Sequence, residues 1–364
     1  MKLDLVQIKS FRNIDDLSIV PDAKLNFFLG ENGSGKSSIL EAIHYLGFTR
    51  SFRTSKHKNV IQHDQQGFTV FAQVNSDDVF HKLGLSRTIG DECLVSIDGL
   101  KSKSAVDLVS KLPVQIFTPQ SSELIMGSPR LRRKYLDWLL FHVEQQFARK
   151  FANFRRCLLQ LNASYKITHR AQSKDQEQFW LEQLSIFGDE IRGLYETLMM
   201  SEFTRFIHYN LQEFLPEYSF DITYYKGWEK DLSLKDAIVK NFERDRKRGF
   251  VSVGPHKADL RIKIGGVLAH EILSRGQVRM LVAALQIAQA QYLHLKLGKS
   301  VVFLLDDIGA ELDSSKQELF INSLLNTGSQ LFVTAIDRNQ LSYISNYQHK
   351  KLFHVEHGQV REEI

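Results

Sequence analysis

The spacing of apolar residues divides the chain into stretches of different character. Near the start, residues 3–11 (LDLVQIKSF), 14–20 (IDDLSIV) and 25–30 (LNFFLG) read as short strands. Residues 38–48 switch to helical spacing, with Leu40, Ile43 and Leu46 three apart. A strand-like pattern returns from 68 to 118 in FTVFAQV, HKLGLS, ECLVSI and LPVQIF, and Asp98-Gly99 supplies a hairpin-type turn. The middle differs. Residues 130–166 carry Leu131, Leu136, Leu139, Val143, Phe147, Phe151, Phe154 and Leu158 at helical intervals, and 176–215 carry Leu184, Phe187, Ile191, Leu194, Leu198, Phe206 and Leu211. At ~1.5 Å per residue each pattern reaches about 50 Å, which predicts an antiparallel arm or a helical subdomain. Polar residues 168–175 separate its halves. After Pro216 come strands YSFDITYY and ADLRIKI, the helix QVRMLVAALQIAQAQYLHL, and the apolar strands SVVFLLD and QLFVTA. There is no internal repeat and no flexible linker. The simplest account is an α/β unit of residues 1–120 and 245–364, interrupted by a helical insertion over 121–244.

Composition removes alternatives more than it adds. At 364 residues, 43% apolar and 24% charged, the chain is an ordinary globular protein, not a low-complexity or disordered one. No apolar run approaches the ~20 residues of a membrane span, and the start has no signal-peptide core, so a cytoplasmic location is expected. Cys93 and Cys157 make neither a disulfide framework nor a metal site. The net charge of +5 is modest, but its distribution is uneven. Windows 49–58, 130–156 and 243–263 carry +4, +6 and +4, so the rest of the chain is at −9. Segregated cationic patches are what a nucleic-acid footprint requires, and solvated helix faces give the same pattern.

The chemistry is concentrated in a few motifs. Gly30-Glu31-Asn32-Gly33-Ser34-Gly35-Lys36-Ser37 matches G-x-x-x-x-G-K-[ST], between an apolar strand and a helix. Glycines let successive N–H groups curl around phosphate oxygens, and the helix N-terminus adds positive charge. Lys36 then meets the β- and γ-phosphates of ATP, and Ser37 meets Mg²⁺. The second acidic ligand belongs at the end of a buried strand, and Val301-Val-Phe-Leu-Leu305 followed by Asp306-Asp307 supplies it. Asp306 is the expected metal ligand and Asp307 the expected catalytic base.

Leu273-Ser274-Arg-Gly276-Gln277 opens a helix upstream of that strand, and Gly309-Ala-Glu-Leu-Asp313 follows it. In this order the two resemble the signature motif and D-loop of the ABC ATPase superfamily. The resemblance implies a site completed in trans: Ser274, Gly276 and Gln277 of one subunit reach the nucleotide held by Lys36 of another, so ATP clamps a homodimer. About 270 residues separate the phosphate loop from Asp306, which points to the SMC-like branch, although the chain is too short for a coiled coil and hinge. Phe11-Arg12-Asn13, the segment from Pro119 through Gly127-Ser-Pro129 to Asp137, Gly254-Pro-His256-Lys-Ala-Asp259 and 305–316 then resemble the RecF family of bacterial DNA replication and repair proteins, from residue 1 to about 357.

That resemblance implies an ABC/SMC-type P-loop head with an inserted helical lobe. It further implies ATP-dependent DNA binding at single-strand gaps, RecA loading with RecO and RecR, SOS induction, and a cytoplasmic, nucleoid-associated place. Two departures from the wider class matter. The shorter Asp307 stands where a glutamate is usual, so slow, DNA-stimulated hydrolysis is expected. Residues 331–337, where the class usually places a switch histidine, have none, which leaves Thr334 or Asp337 in its place or no γ-phosphate sensor there at all. His256 reads equally as a site residue or a buried structural one. The DNA candidates are Arg132, Arg133, Arg246, Lys247 and Arg248, with Arg132 and Arg133 able instead to pair with Asp137 or brace the turn before them. The competing readings are an SMC-like chromosome-structural ATPase and a small-molecule kinase, for which LSRGQ would have no use.

Overall fold

A computed structural model describes residues 1–76, 79–102, 104–166 and 174–363. The chain forms two compact units, residues 1–121 with 285–364, and residues 122–284.

In the first unit two sheets enclose one helix. The first sheet is antiparallel and six-stranded, in the spatial order Ile14–Ile19, Lys2–Phe11, Gly67–Ser76, Val79–Thr88, Cys93–Ile97, Leu100–Ser102. Leu3, Val6 and Ile8 pair across to Val74, Ala72 and Val70, and all six are buried, a register shift between Leu3 and Leu5 moving the alternation by one residue. The Asp98-Gly99 turn closes its last hairpin with both residues at positive φ (53° and 81°), as a type I′ turn demands. The second sheet runs Gln359–Glu363, Lys351–Glu356, Leu25–Leu29, Gln330–Ala335, Val302–Leu305, Val114–Phe117, parallel except at the Gln359–Glu363 edge. Its three central strands are buried at every residue, because both faces are covered.

The Lys36–Phe48 helix packs against strands of both sheets, and eleven of its thirteen residues are buried. Gly47 permits the approach, since a Cβ there would lie 2.4 Å from Val114 Cγ2. Apolar spacing at every third residue therefore understated this helix, which is buried almost all round, its Lys36, Ser38, Glu41 and His44 included.

The second unit is mainly helical and carries its own three-stranded antiparallel sheet, Val267–Leu268, Asp259–Ile264, Phe220–Tyr225. The two long patterns are each broken. Glu144, in extended conformation, ends Pro129–Val143 before Phe147–Lys166 begins. Ser201, whose hydroxyl accepts from Phe203 N, starts Glu202–Phe214 after Lys174–Met200 ends. Capping chemistry overrides a continuous apolar period, and the result is a helical subdomain in which Phe147–Lys166 packs on Lys174–Met200. Residues 168–173 of the polar stretch lie outside the described residues. The amphipathic Leu234–Arg248 helix, N-capped by Ser233 and ended by Gly249 at φ 74°, was not assigned from the pattern. The chain rejoins the first unit at Leu285, inside the Arg275–Leu297 helix, and not at 245. Strand Asp259–Ile264 pairs with Phe220–Tyr225, and this keeps 245–284 with the insertion. Among the described residues no helix is long and apolar enough to cross a membrane.

Burial shifts three largely enclosed ionisable groups far from their ordinary values. In the second unit the Tyr195 hydroxyl donates to Asp137, and burial raises that carboxyl from 3.8 to about 6. His256, buried with Nε2 3.0 Å from the Val251 carbonyl, is lowered by burial to about 4, and burial lowers His44 of the first unit to about 3. The histidines lose stability as pH falls below 6.5, because the unfolded chain takes up the protons first. Asp137 acts oppositely: native protein holds its proton up to about pH 6, so its contribution falls as pH rises from 4 to 6. Asp137→Asn is therefore expected to raise the unfolding free energy by about 3 kcal/mol at pH 7.5 and to change little at pH 4. Urea midpoints at the two pH values check this; an equal effect at both would refute it.

Candidate nucleotide site

The phosphate loop leaves the buried Leu25–Leu29 strand at its carboxyl end and enters the Lys36–Phe48 helix. Its glycines are conformational necessities. Gly30 lies at φ 154°, where a Cβ would fall 2.2 Å from the Val355 carbonyl oxygen, and Gly35 at φ 119° has Asn13 Nδ2 2.9 Å from its Cβ position. The back of the loop is braced: Asn13 Nδ2 donates to the Ser34 carbonyl at 3.1 Å, Gly358 N to the same oxygen at 2.7 Å, and Ser38 Oγ to Asn13 Oδ1 at 3.0 Å. Lys36, 8% exposed, folds back so that Nζ donates to the carbonyls of Gly30 and Glu31. Burial lowers its pKa, against the pull of Asp307 and Asp306.

Opposite the loop, Ser37 Oγ donates to Asp306 Oδ1 at 2.8 Å, although 269 residues separate them. Thr334 Oγ1 donates to the same oxygen at 2.9 Å and accepts the Asp307 amide at 2.8 Å. Burial raises the Asp306 pKa, partly offset by the Ser37 and Thr334 hydrogen bonds and by Arg53. A hydroxyl and a buried carboxylate form an oxygen-only donor pair suited to Mg²⁺. Among the described residues no group of three or more His, Cys, Asp or Glu could hold a metal ion.

Loop and carboxylates border a cavity of about 860 Å³, large enough for a nucleotide. Asn32, Gly33, Gly35, Lys36, Ser37, Asp306 and Asp307 line it, as expected, and so does Thr334, one of the two residues offered in place of the histidine, while Asn13, Arg12, Phe52, Arg53 and Gln120 line it without having been assigned to it. Phe11-Arg12-Asn13 and the cationic window 49–58 were visible in sequence, but nothing placed them beside the loop. Arg12 is oriented by buried Glu41, whose carboxylate accepts from its Nε at 3.0 Å and Nη2 at 2.7 Å. The Ser51 hydroxyl donates to Glu41 too, and Arg53 lies 3.8 Å away.

In the second unit Ser274 and Gln277 form a reciprocal capping box at the start of the Arg275–Leu297 helix: Gln277 Oε1 accepts from Ser274 N at 2.9 Å and Ser274 Oγ from Gln277 N at 3.3 Å. Gln277 Nε2 also donates to Glu217 and to the Tyr218 hydroxyl, so its amide is committed within the unit. Ser274 and Gly276 are exposed, and a Cβ at Gly276 would meet nothing within 4 Å. Of the 309–313 segment, the side chains of Ala310 and Glu311 lie outside the described residues. Asp313 caps the Ser314–Asn326 helix.

The DNA candidates separate into two groups. Arg132 is committed internally, with Nε 2.7 Å from Asp259 Oδ1 and Nη1 donating to the carbonyls of Ile125 and Gly127. Its side chain is 14% exposed. Arg133 donates to the Ala258 carbonyl at 2.6 Å, and burial lowers its pKa. Of the two readings, these contacts favour the bracing one, with Arg132 holding the turn before it and pairing with Asp259 instead of Asp137, since partly buried guanidinium donors demand acceptors. Arg246, Lys247 and Arg248 are exposed on the last turn of the Leu234–Arg248 helix. His256 is the buried structural histidine of the two readings.

The comparisons agree with one another. Residues 2–361 match the RecF/RecN/SMC N-terminal domain. The DNA replication and repair protein RecF of Pseudoalteromonas atlantica is 54% identical over 363 residues, covering all of both chains. That of Psychromonas ingrahamii is 36% identical over 99% of each. A solved structure of the recombination mediator protein RecF with ATP, in the RecFOR pathway, superposes with TM-score 0.89 at 25% identity, covering 100% of this chain and 98% of that one. An Smc head bound to the C-terminal winged-helix domain of ScpA follows at TM-score 0.60 and 14% identity, over 100% of this chain and 97% of that one, a likeness of fold alone. A phosphate loop facing strand-end carboxylates, an SMC-type head and full-length relatives lead to one conclusion: the chain belongs to the RecF family of DNA replication and repair proteins.

Proposed function

We propose that the chain is an ATP-switched DNA clamp of recombinational gap repair. It binds DNA at single-strand gaps and, with RecO and RecR, promotes RecA loading and SOS induction, in the cytoplasm at the nucleoid. The observation that carries the ATP part is the 2.8 Å contact between Ser37 and Asp306, which gathers the loop and the strand-end carboxylates around one cavity. The solved RecF–ATP structure, similar along the whole chain, supports the same ligand.

In this reading Lys36 leaves the Gly30 and Glu31 carbonyls for the β- and γ-phosphates, and Asp307 orients the attacking water. Ser37 and Asp306 would hold Mg²⁺, which would supply charge neutralisation at the phosphates. Ser274 and Gly276 of a second copy complete the site: the Ser274 hydroxyl keeps its proton to donate, and exposed Gly276, with no Cβ and nothing within 4 Å of where one would be, leaves room for close approach. Gln277 positions Ser274. ATP thereby favours the closed pair, and slow hydrolysis at Asp307, stimulated by DNA, times release. Arg246, Lys247 and Arg248 are the DNA-facing cations.

Sedimentation with and without ATP and gapped DNA tests the reading. Wild type is expected to dimerise with ATP and to bind gapped DNA more tightly in that state, while Lys36→Arg and Ser274→Arg stay monomeric. Wild type that stays monomeric with ATP, or DNA affinity that ignores nucleotide, would sink it.

A further inference from the structure

The strand Gln330–Ala335 lies between the strand that feeds the phosphate loop and the strand that ends at Asp306, hydrogen-bonded in parallel to both. In register, Thr334 stands beside Phe28 on one side and one step beyond the Val333–Leu305 pair on the other, next to the carboxylates. It is 1% exposed. A β-branched residue is at home in a central strand, but a hydroxyl there must be hydrogen-bonded. Both of its bonds point at the hydrolytic pair: Asp307 N–H into Thr334 Oγ1 at 2.8 Å, and Thr334 O–H into Asp306 Oδ1 at 2.9 Å.

The direction of this chain is forced. An amide only donates and a carboxylate only accepts, so the atom between them must do both at once, and a hydroxyl oxygen does. What it holds is strained. Asp307 has φ 53° and ψ 43°, the left-handed region that L-residues rarely enter, and its own side chain makes no capping hydrogen bond there. The hydrogen bond from the Asp307 amide to Thr334 ties down this conformation, and the conformation sets where the Asp307 carboxylate points. Asp337, the other residue offered by the sequence for this place, is exposed beyond the strand end.

We infer that Thr334 is a positioning residue: its single hydroxyl ties the backbone of the water-orienting Asp307 to the metal-ligand carboxylate Asp306. This rests on the hydrolytic reading above. Where the wider class places a switch histidine, this chain carries a buried hydroxyl beneath the two carboxylates.

The experiment compares full-length wild type with Thr334→Ser, Thr334→Val and Thr334→Ala. Amide hydrogen exchange at Asp307 is measured without nucleotide, and single-turnover ATP hydrolysis and mant-ATP affinity with Mg²⁺. Valine keeps the shape and loses the hydroxyl; serine does the reverse. Thr334→Val is expected to speed exchange at Asp307 about tenfold. Its hydrolysis falls about a hundredfold, as misplacement of a catalytic group by an ångström does. Mant-ATP affinity changes less than about threefold, since ground-state binding is kept. Thr334→Ser stays near wild type in all three. Unchanged exchange in Thr334→Val overturns the inference, and so does Thr334→Ser failing as badly as valine at an unchanged thermal midpoint. Should valine not fold, serine against alanine makes the same contrast. Wild type that does not hydrolyse ATP refutes the functional reading, while the exchange measurement still decides the role of Thr334.

Discussion

Arg132→Ala is expected to lower the unfolding free energy by about 3–5 kcal/mol, the range for breaking a buried pair and stranding its partner. Asp259 would lose both guanidinium contacts (2.7 and 3.2 Å) at 13% exposure, and the carbonyls of Ile125 and Gly127 would lose their donor. Arg246→Ala, on an exposed helix end, is expected to shift stability by less than about 0.5 kcal/mol. Its effect belongs instead to DNA binding: the slope of log affinity against log salt should flatten by about 1, as for one lost phosphate contact. Urea melts and salt-dependent fluorescence anisotropy on the same variants separate the roles. Arg132→Ala with wild-type stability and weakened DNA binding would return Arg132 to the DNA surface.

Glu41→Gln should be comparably damaging, by about 3 kcal/mol, and should weaken ATP binding as well. The Glu41 side chain is fully buried on the helix that begins the phosphate loop, where its two oxygens hold Arg12, Ser51 and Arg53. A neutral amide keeps the shape, replaces one acceptor with a donor facing a guanidinium, and leaves the Arg12 charge only the Asn59 carbonyl, 2.6 Å from Nη1. Arg12 and Arg53 both line the nucleotide cavity, so the loss spreads from the helix to the ligand. The checks are the urea midpoint and mant-ATP affinity. A fall in stability at unchanged affinity would confine Glu41 to a structural role.

These two carboxylate partnerships show where sequence reading stops. The eight residues of the phosphate loop and Asp306-Asp307 were legible because their chemistry is local: a glycine pattern after an apolar strand, and an apolar run ending in acid. Arg132 carried no such mark. A charge in a cationic window reads the same whether it faces solvent or Asp259, which is 127 residues away in the chain. Helix breaks at Glu144 and Ser201 were lost for a related reason, since the apolar period continues through them while the backbone does not.

By itself the sequence determined the phosphate loop, the carboxylate pair, the α/β class with a helical insertion, and the RecF resemblance. Each of these rests on residues close together in the chain or on their order along it. Only the tertiary structure decided which cations are spent internally, that Arg12, Arg53 and Gln120 border the nucleotide cavity, that 245–284 stay with the insertion, and that Thr334 lies beneath both carboxylates. Strand order is the physical reason. The Gln330–Ala335 strand follows Val302–Leu305 in the chain but inserts between it and Leu25–Leu29, and hydrogen-bonded neighbours in a parallel sheet leave no trace in local spacing.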